Sequence, residues 1–282
     1  MRSSSSATCA RPFGRPSARS DRVSDDVQAG ATFSADAGTD ARVRLTAANL
    51  TKSYGRKMVV RGVSFEMHEG EIVGFLGPNG AGKTTCFYMI VGFIRPNSGR
   101  IYLSGREITR RPMYQRARAG ISYLPQEPSV FRKLTVEQNI KAVLETRRDL
   151  TRAQKRQTLE ELLQELGIEH KRKQRAYTLS GGERRRTEIA RSLAIRPRFL
   201  LLDEPFAGID PIAVYEIKQI VAKLSAKGIG VLITDHNVRD TLEITHRSYI
   251  IKDGEIVVAG SREEVMQNEI ARKVYLGDTF TI

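Results

Sequence analysis

Short apolar runs bounded by glycine or other turn residues recur in two stretches of the chain. Runs of this length and composition predict β-strands. In the first stretch they lie at Val59–Val60, Val63–Phe65, Ile72–Leu76, Ile101–Leu103 and Ile121–Leu124. In the second they lie at Phe199–Leu202, Ile229–Thr234 and Tyr249–Ile251. The wholly apolar run Phe199–Leu202 is typical of a strand covered on both faces, so the sequence predicts a buried sheet.

Between these stretches the pattern changes to that of helices. Leu159, Leu162, Leu163 and Leu166 form one apolar stripe with charged residues opposite. Four segments of the chain begin with a Ser or Thr followed three residues later by Glu or Gln, the capping-box pattern that starts a helix. These pairs are Thr135 with Gln138, Thr151 with Gln154, Ser180 with Glu183, and Ser261 with Glu264. The segment from about residue 128 to 195 is therefore predicted to be a helical lobe inserted into the strand-rich parent domain.

After that lobe, strands again alternate with helices. Asp210-Pro211 supplies an N-cap followed by proline at the first helical position. Parallel strands that alternate with helices predict the α/β class and a doubly wound sheet. Residues 41–282 are expected to form this domain.

Composition narrows the class of protein. The chain has 282 residues, 40% hydrophobic residues and a net charge of +14, with two cysteines far apart at Cys9 and Cys86. This excludes wholesale disorder and a paired-CxxC zinc site, and it favours a reducing compartment. The charge suits nucleic acid, an anionic membrane or nucleotide phosphates. Residues 1–40, rich in Ser, Ala, Gly and Arg, are predicted to be a disordered tail or the product of a start codon assigned too far upstream.

A phosphate-binding loop follows the predicted strand Ile72–Leu76. Its pattern G-x-x-x-x-G-K-[ST] is met at every fixed position, and a helical stretch comes next. Backbone amides and the helix N-terminus would cradle a polyphosphate, with a lysine charge and a hydroxyl for Mg²⁺. The predicted ATP-binding residues here are Gly77, Pro78, Asn79, Gly80, Ala81, Gly82, Lys83, Thr84 and Thr85.

Two adjacent carboxylates, Asp203 and Glu204, end the strand Phe199–Leu202. A carboxylate at the carboxyl end of a strand lies where α/β sheets bind ligands. Asp203 is the candidate for holding Mg²⁺, and Glu204 is the candidate for polarising an attacking water. An ordinary Asp-Glu turn after a core strand is the alternative, which the phosphate loop disfavours.

Leu179–Glu183 is a helix cap that could also bind phosphate through its amides. About a hundred residues separate it from Lys83, so a second copy of the chain could bring the two loops together. From about residue 43 the chain resembles the ATP-binding subunits of ABC transporters. Leu179–Glu183 resembles their signature, Asp235-His236 their switch histidine, Gln126 their Q-loop, Tyr54 their adenine-stacking aromatic and Ala207–Asp210 their D-loop.

This resemblance implies a P-loop NTPase (RecA-like) core with a mixed sheet and an inserted α-helical subdomain. It implies an ATPase that uses ATP and Mg²⁺, with Glu204, His236 and Gln126 catalytic and the metal held by Thr84, Gln126 and Asp203. Two copies would sandwich each nucleotide, and the second would contribute Ser180, Gly181, Gly182 and Glu183.

The resemblance further implies two transmembrane permease subunits, contacted at Phe131 and Arg132. The chain would then lie in the cytoplasm, on the inner face of the inner membrane. Within the family the chain is similar to the ATPases of lipopolysaccharide exporters, and those of branched-chain amino-acid importers are the nearest alternative. A non-transport ABC protein acting on nucleic acid or ribosomes is a remote third, because the sequence has one phosphate loop and no CxxC. No nucleic-acid partner is expected.

Overall fold

The computed structural model describes residues 43–236 and 238–272. The prediction of a disordered tail at residues 1–40 lies outside these residues. In chain order the strands are β1 (Arg44–Tyr54), β2 (Lys57–His68), β3 (Ile72–Leu76), β4 (Ser98–Leu103), β5 (Arg106–Glu107), β6 (Ile121–Leu124), β7 (Phe199–Asp203), β8 (Gly230–Thr234), β9 (Arg247–Lys252) and β10 (Glu255–Ser261). The helices are α1 (Lys83–Val91), α2 (Met113–Arg118), α3 (Val136–Leu144), α4 (Arg152–Glu165), α5 (Gly181–Leu193), α6 (Pro211–Ala226), α7 (Val238–Ile244), α8 (Arg262–Gln267) and α9 (Glu269–Ala271).

The larger sheet has the strand order β10-β9-β3-β8-β7-β6. All neighbours in it are parallel except β10, which runs antiparallel to β9. Every residue of β3, β7 and β8 is buried, as expected for central strands covered on both faces. The expected mixed sheet is confirmed, because the β9–β10 hairpin adds an antiparallel edge to the parallel strands.

A second, antiparallel sheet has the order β2-β1-β4-β5. The apolar runs do not predict β1, β5 or β10, and they divide β2 into two parts. Helix α1 packs against strands of both sheets. Phe65 of β2, Phe75 of β3 and Phe87 of α1 pack in series as tilted rings, with centroids 5.5 and 6.4 Å apart. The helix that follows the phosphate loop is therefore held in an aromatic core between the two sheets.

Helices α3, α4 and α5 lie in the chain between β6 and β7. All four predicted capping boxes are confirmed, at the starts of α3, α4, α5 and α8. The predicted cap of α6 is confirmed as well, since the Ala213 amide donates to Asp210 Oδ1. The predicted leucine stripe of α4 packs into one apolar cluster with α3, α5 and the strands β7 and β8. The helical segment thus rests on the face of the sheet opposite α1.

Candidate nucleotide-binding site

The loop between β3 and α1 has a backbone that requires glycine. Gly80 and Gly82 have φ angles of 80° and 105°, in the left-handed region. A Cβ on Gly77 would lie 2.2 Å from the Ile251 carbonyl oxygen, and one on Gly82 would lie 2.9 Å from the Val59 oxygen. Helix α1 begins after Gly82 without a side-chain cap. The predicted strand–loop–helix context is confirmed, and the first amides of α1 are left for a ligand at this end.

The ammonium group of Lys83 lies folded back over this loop. Its Nζ donates to the carbonyl oxygens of Gly77 at 2.6 Å and Pro78 at 3.1 Å. Burial lowers the pKa of Lys83, and the carboxylates of Glu204 and Asp203 partly oppose that effect. Lys83 is therefore a buried amine in the field of three carboxylates, those of Glu204, Asp203 and Asp235, at the place where phosphate oxygens would lie.

Asp203 ends β7 and is held by hydroxyls from both neighbouring strands. Its Oδ1 accepts from Thr234 Oγ1 on β8 at 2.8 Å, and its Oδ2 accepts from the Tyr123 hydroxyl on β6 at 3.1 Å. Asp203 is 2% exposed, and this burial raises its pKa although both hydroxyls act in the opposite direction. The carboxylate has a fixed orientation and, with lone pairs to spare on both oxygens, can still accept a metal ion.

Glu204, the next residue, turns out of the strand with φ 45°. Its amide donates to the Thr234 carbonyl oxygen at 2.9 Å, which extends the pairing of β7 with β8. Its Oε2 accepts from Gln126 Nε2 at 2.8 Å and lies 3.6 Å from His236 Nδ1. The structure thus brings together Glu204, Gln126 and His236, the three residues predicted to be catalytic. A non-glycine residue at positive φ is strained, a condition found most often at functional sites.

Two side chains to which the sequence assigned no role of their own hold these segments in place. Arg185 is buried in α5, and it donates to the carbonyl oxygens of Pro125 at 2.7 Å and Asp203 at 3.1 Å. Asp235 Oδ2 accepts from the Phe206 amide at 3.2 Å. Arg185 stands in the run Arg184–Arg186, which in sequence is indistinguishable from a solvated basic helix face.

The signature segment starts α5 and packs on the start of α6. Ser180 Oγ accepts from the Glu183 amide, and a Glu183 carboxylate oxygen accepts from the Ser180 amide. A Cβ on Gly182 would lie 2.5 Å from Ala213 Cβ, so the close packing requires glycine here. Glu183 also pairs with Lys171 at 3.1 Å. Its carboxylate therefore holds the signature segment in place through contacts within the same chain. The approach of Ser180, Gly181 and Gly182 to a nucleotide on a second copy stays a prediction.

The predicted adenine contact and the predicted partner contacts lie at the surface. Tyr54 ends β1 half-exposed, with Lys52 Nζ 5.6 Å from its ring centroid. Phe131 is 49% exposed, and the Arg191 guanidinium lies 4.6 Å from its ring centroid. Arg132 is exposed beside it. All three are accessible to a ligand or a partner, as their predicted roles require.

The residues predicted to hold Mg²⁺ have suitable chemistry. Thr84 is exposed in the first turn of α1 and offers a hydroxyl, and Asp203 offers a carboxylate. Gln126 contacts Glu204 through its amide nitrogen, not its oxygen. Within residues 43–236 and 238–272, no group of three His, Cys, Asp or Glu side chains could hold a metal unaided. A magnesium ion bound by one carboxylate and a hydroxyl would share the phosphate oxygens of its nucleotide, which is its usual mode.

Residues 60–207 match the family model described as ABC transporter. The chain belongs to the ABC transporter family. Over 238 residues it is 56% identical to the lipopolysaccharide export system ATP-binding protein LptB of Acidithiobacillus ferridurans, covering 84% of this chain and 98% of that one. It is 52% identical to the LptB protein of Escherichia coli K12, with 84% and 99% covered.

Solved cassettes of this ABC transporter family have the same fold. The ADP conformation of the cassette MJ1267 superposes with a TM-score of 0.75 at 28% identity, covering 84% of this chain and 99% of that one. The post-hydrolysis dimer of the cassette MJ0796, bound to ADP and Pi, gives 0.70 at 25% identity, with 77% and 98% covered. The predicted family, the P-loop NTPase fold class and the ATPase activity are confirmed.

Proposed function

We propose that this chain is the ATP-hydrolysing subunit of an ABC transporter that extracts lipopolysaccharide from the inner membrane for export. Two observations support the proposal: the arrangement of Glu204, Gln126 and His236 beside the phosphate loop, and the identity to proteins named LptB. An amino-acid importer would require the same catalytic machinery, so the substrate assignment depends on the relatives alone.

The phosphate loop and Lys83 bind the polyphosphate, and the carboxylates around Lys83 keep its charge directed into the site. Thr84, Asp203 and Gln126 would hold a magnesium ion, which would supply positive charge to offset that of the phosphates. Glu204 accepts a proton from the attacking water, because its carboxylate is the accessible one while that of Asp203 is enclosed. Gln126 and His236 orient Glu204 from two sides.

A second copy of the chain completes each site with Ser180, Gly181 and Gly182. The amides at the start of α5 then face the terminal phosphate, and hydrolysis removes the group that joins the two copies. Among the described residues no helix is both long enough and apolar enough to span a bilayer. In the proposed assembly, two separate membrane subunits form the transport path, and the chain works on the cytoplasmic face of the inner membrane.

The test of the catalytic assignment is Glu204→Gln, which removes the charge and keeps the shape. Loss of general-base assistance lowers kcat by about 100- to 10,000-fold. Nucleotide affinity is retained, and with ATP and Mg²⁺ the variant accumulates as a dimer in size-exclusion chromatography. Glu255→Gln, the same change on the edge strand β10, is the control. Hydrolysis near the wild-type rate in the Glu204 variant would contradict this role.

The test of the partner assignment is purification of the tagged chain from detergent-solubilised membranes. Membrane subunits that carry a periplasmic domain are expected for lipid export, whereas co-purified amino-acid permeases would support the importer. Phe131→Ala lowers this co-purification more than it lowers basal hydrolysis, because the Phe131 ring is exposed and packs against Arg191 of α5. Ile270→Ala, an equally exposed apolar residue on α9, is the control. Equal recovery from both variants would remove Phe131 from the interface.

A further inference from the structure

Tyr123 connects the buried carboxylate of Asp203 with a surface groove. It lies on β6, opposite Leu201 of β7 in the parallel register, so its side chain reaches along β7 to the carboxylate two residues further on. Its hydroxyl donates to Asp203 Oδ2 at 3.1 Å. At the other end, its ring contacts Phe93 edge-on, with centroids 5.7 Å apart and an interplanar angle of 79°.

The hydroxyl of Tyr123 indicates a role beyond packing, because a phenylalanine would fill the same place in the aromatic cluster. Burying a hydroxyl costs free energy unless it is hydrogen-bonded, and here the bond goes to Asp203. Thr234 holds the other oxygen of Asp203 from the opposite strand. The two hydroxyls together fix the plane of the carboxylate.

The ring of Tyr123 lines a groove of about 360 Å³ between the sheet and the helical segment. Phe93 and Met113 also line this groove and are 51% and 41% exposed, while Val143 and Arg191 line it from the helical side. Phe93 thus lines the groove and contacts Tyr123, and Tyr88 packs against both rings. A displacement of Phe93 in the groove would be passed to Asp203 through a single side chain.

We propose that Tyr123 is a positioning residue: its hydroxyl orients the metal-binding carboxylate of Asp203, and its ring transmits the state of the groove to that carboxylate. The proposal rests on the proposed function only in assigning Asp203 to the metal. Groups that orient a metal ligand in this way typically change metal affinity by about 10- to 100-fold when they are removed.

The experiment measures binding of a non-hydrolysable ATP analogue with Mn²⁺ and with EDTA, and follows bound Mn²⁺ by electron paramagnetic resonance. In Tyr123→Phe, the Mn²⁺ affinity in the presence of analogue falls about tenfold, while analogue affinity in EDTA is unchanged. Tyr249→Phe is the matched control, since this buried tyrosine bonds only the Glu66 backbone within the described residues. An equal loss of affinity with and without metal, or no loss, would overturn the positioning role.

Two further variants separate the parts of the proposal. Phe93→Ala removes the groove-side support of the ring and lowers Mn²⁺ affinity by a smaller factor, about two- to fivefold on the same scale. If Phe93→Ala binds Mn²⁺ as Tyr249→Phe does, the link between the groove and Asp203 is overturned, and only the positioning role of the Tyr123 hydroxyl stands. Asp203→Asn abolishes the metal-dependent part of analogue binding. If metal-dependent binding persists in Asp203→Asn, the assignment of Asp203 to the metal is wrong. That result is distinct from one in which only the Tyr123 variant binds metal normally.

Discussion

Arg116 is a fully buried guanidinium that holds the end of α1. It is 1% exposed, and its nitrogens donate to the carbonyl oxygens of Met89 and Ile90 at 2.6 Å and of Thr109 and Arg111 at 2.8 Å. Met89 and Ile90 lie in the last turn of α1, where carbonyls have no partner within the helix. Burial lowers the pKa of Arg116 to about 10, so it is still a cation at neutral pH.

The variant Arg116→Met keeps most of the side-chain length and removes all four hydrogen bonds. Each buried carbonyl left without its donor costs about 1–3 kcal/mol, and relief of burying a charge offsets part of the sum. We expect a net loss of about 3 kcal/mol in the free energy of unfolding. For a domain of this size, that corresponds to a fall in Tm of about 6–12 °C.

Urea denaturation followed by circular dichroism measures the change, and Arg118→Met is the matched control on the same helix. Arg118 is exposed and lies over the Tyr114 ring at 5.6 Å, so its replacement should cost less than about 0.5 kcal/mol. A variant at Arg116 as stable as the wild type would show that burying the charge costs as much as its four bonds contribute. That result would refute the reasoning.

Two other predictions concern the phosphate loop and α7. Gly82→Ala forces a left-handed φ on alanine and brings its Cβ to 2.9 Å from the Val59 oxygen, so nucleotide affinity measured by calorimetry falls at least tenfold. Equal affinity would contradict this. Desolvation lowers the pKa of Lys218, but the hydrogen bonds that its Nζ donates to Asp240 and Glu243, each 2.6 Å long, outweigh it and raise the pKa. These hydrogen bonds stabilise the folded protein by about 1 kcal/mol relative to Lys218→Met. The stabilisation is complete below pH 10.5, the ordinary pKa of lysine, and it is lost as the pH rises through the higher pKa that Lys218 has in the folded protein. Urea titrations from pH 7 to 11 check this, and a constant difference would be the contrary result.

The strands that the sequence predicts well are those with unbroken patterns. Ile72–Leu76 and Ile121–Leu124 match β3 and β6 residue for residue. β1 was missed because a register shift around Asn49, at φ 49°, places its buried residues at 45, 47 and 50 and so breaks the alternation. In β10 only Val258 is buried, so this strand offers even less of a pattern.

In the candidate site too, residues in contiguous motifs are predictable from the sequence, and contacts between distant segments are not. The phosphate loop and the pair Asp203–Glu204 are contiguous motifs, so the sequence predicts their chemistry directly. The contacts of Tyr123 and Thr234 with Asp203 depend on how three strands align, which no local pattern specifies. Arg185 was missed for a similar reason, since the backbone carbonyls that it bonds lie 18 and 60 positions away in the chain.

Asp203 lies opposite Thr234 in the pairing of β7 with β8. This pairing limits where the chain can tolerate an insertion or a deletion. Because side chains alternate across a strand, inserting or deleting a single residue in β7 would turn the carboxylate to the opposite face. The exposed turn at 104–105 has no such restriction. Length variation among related genes should therefore accumulate at that hairpin tip and be absent from the strands that carry the catalytic edge.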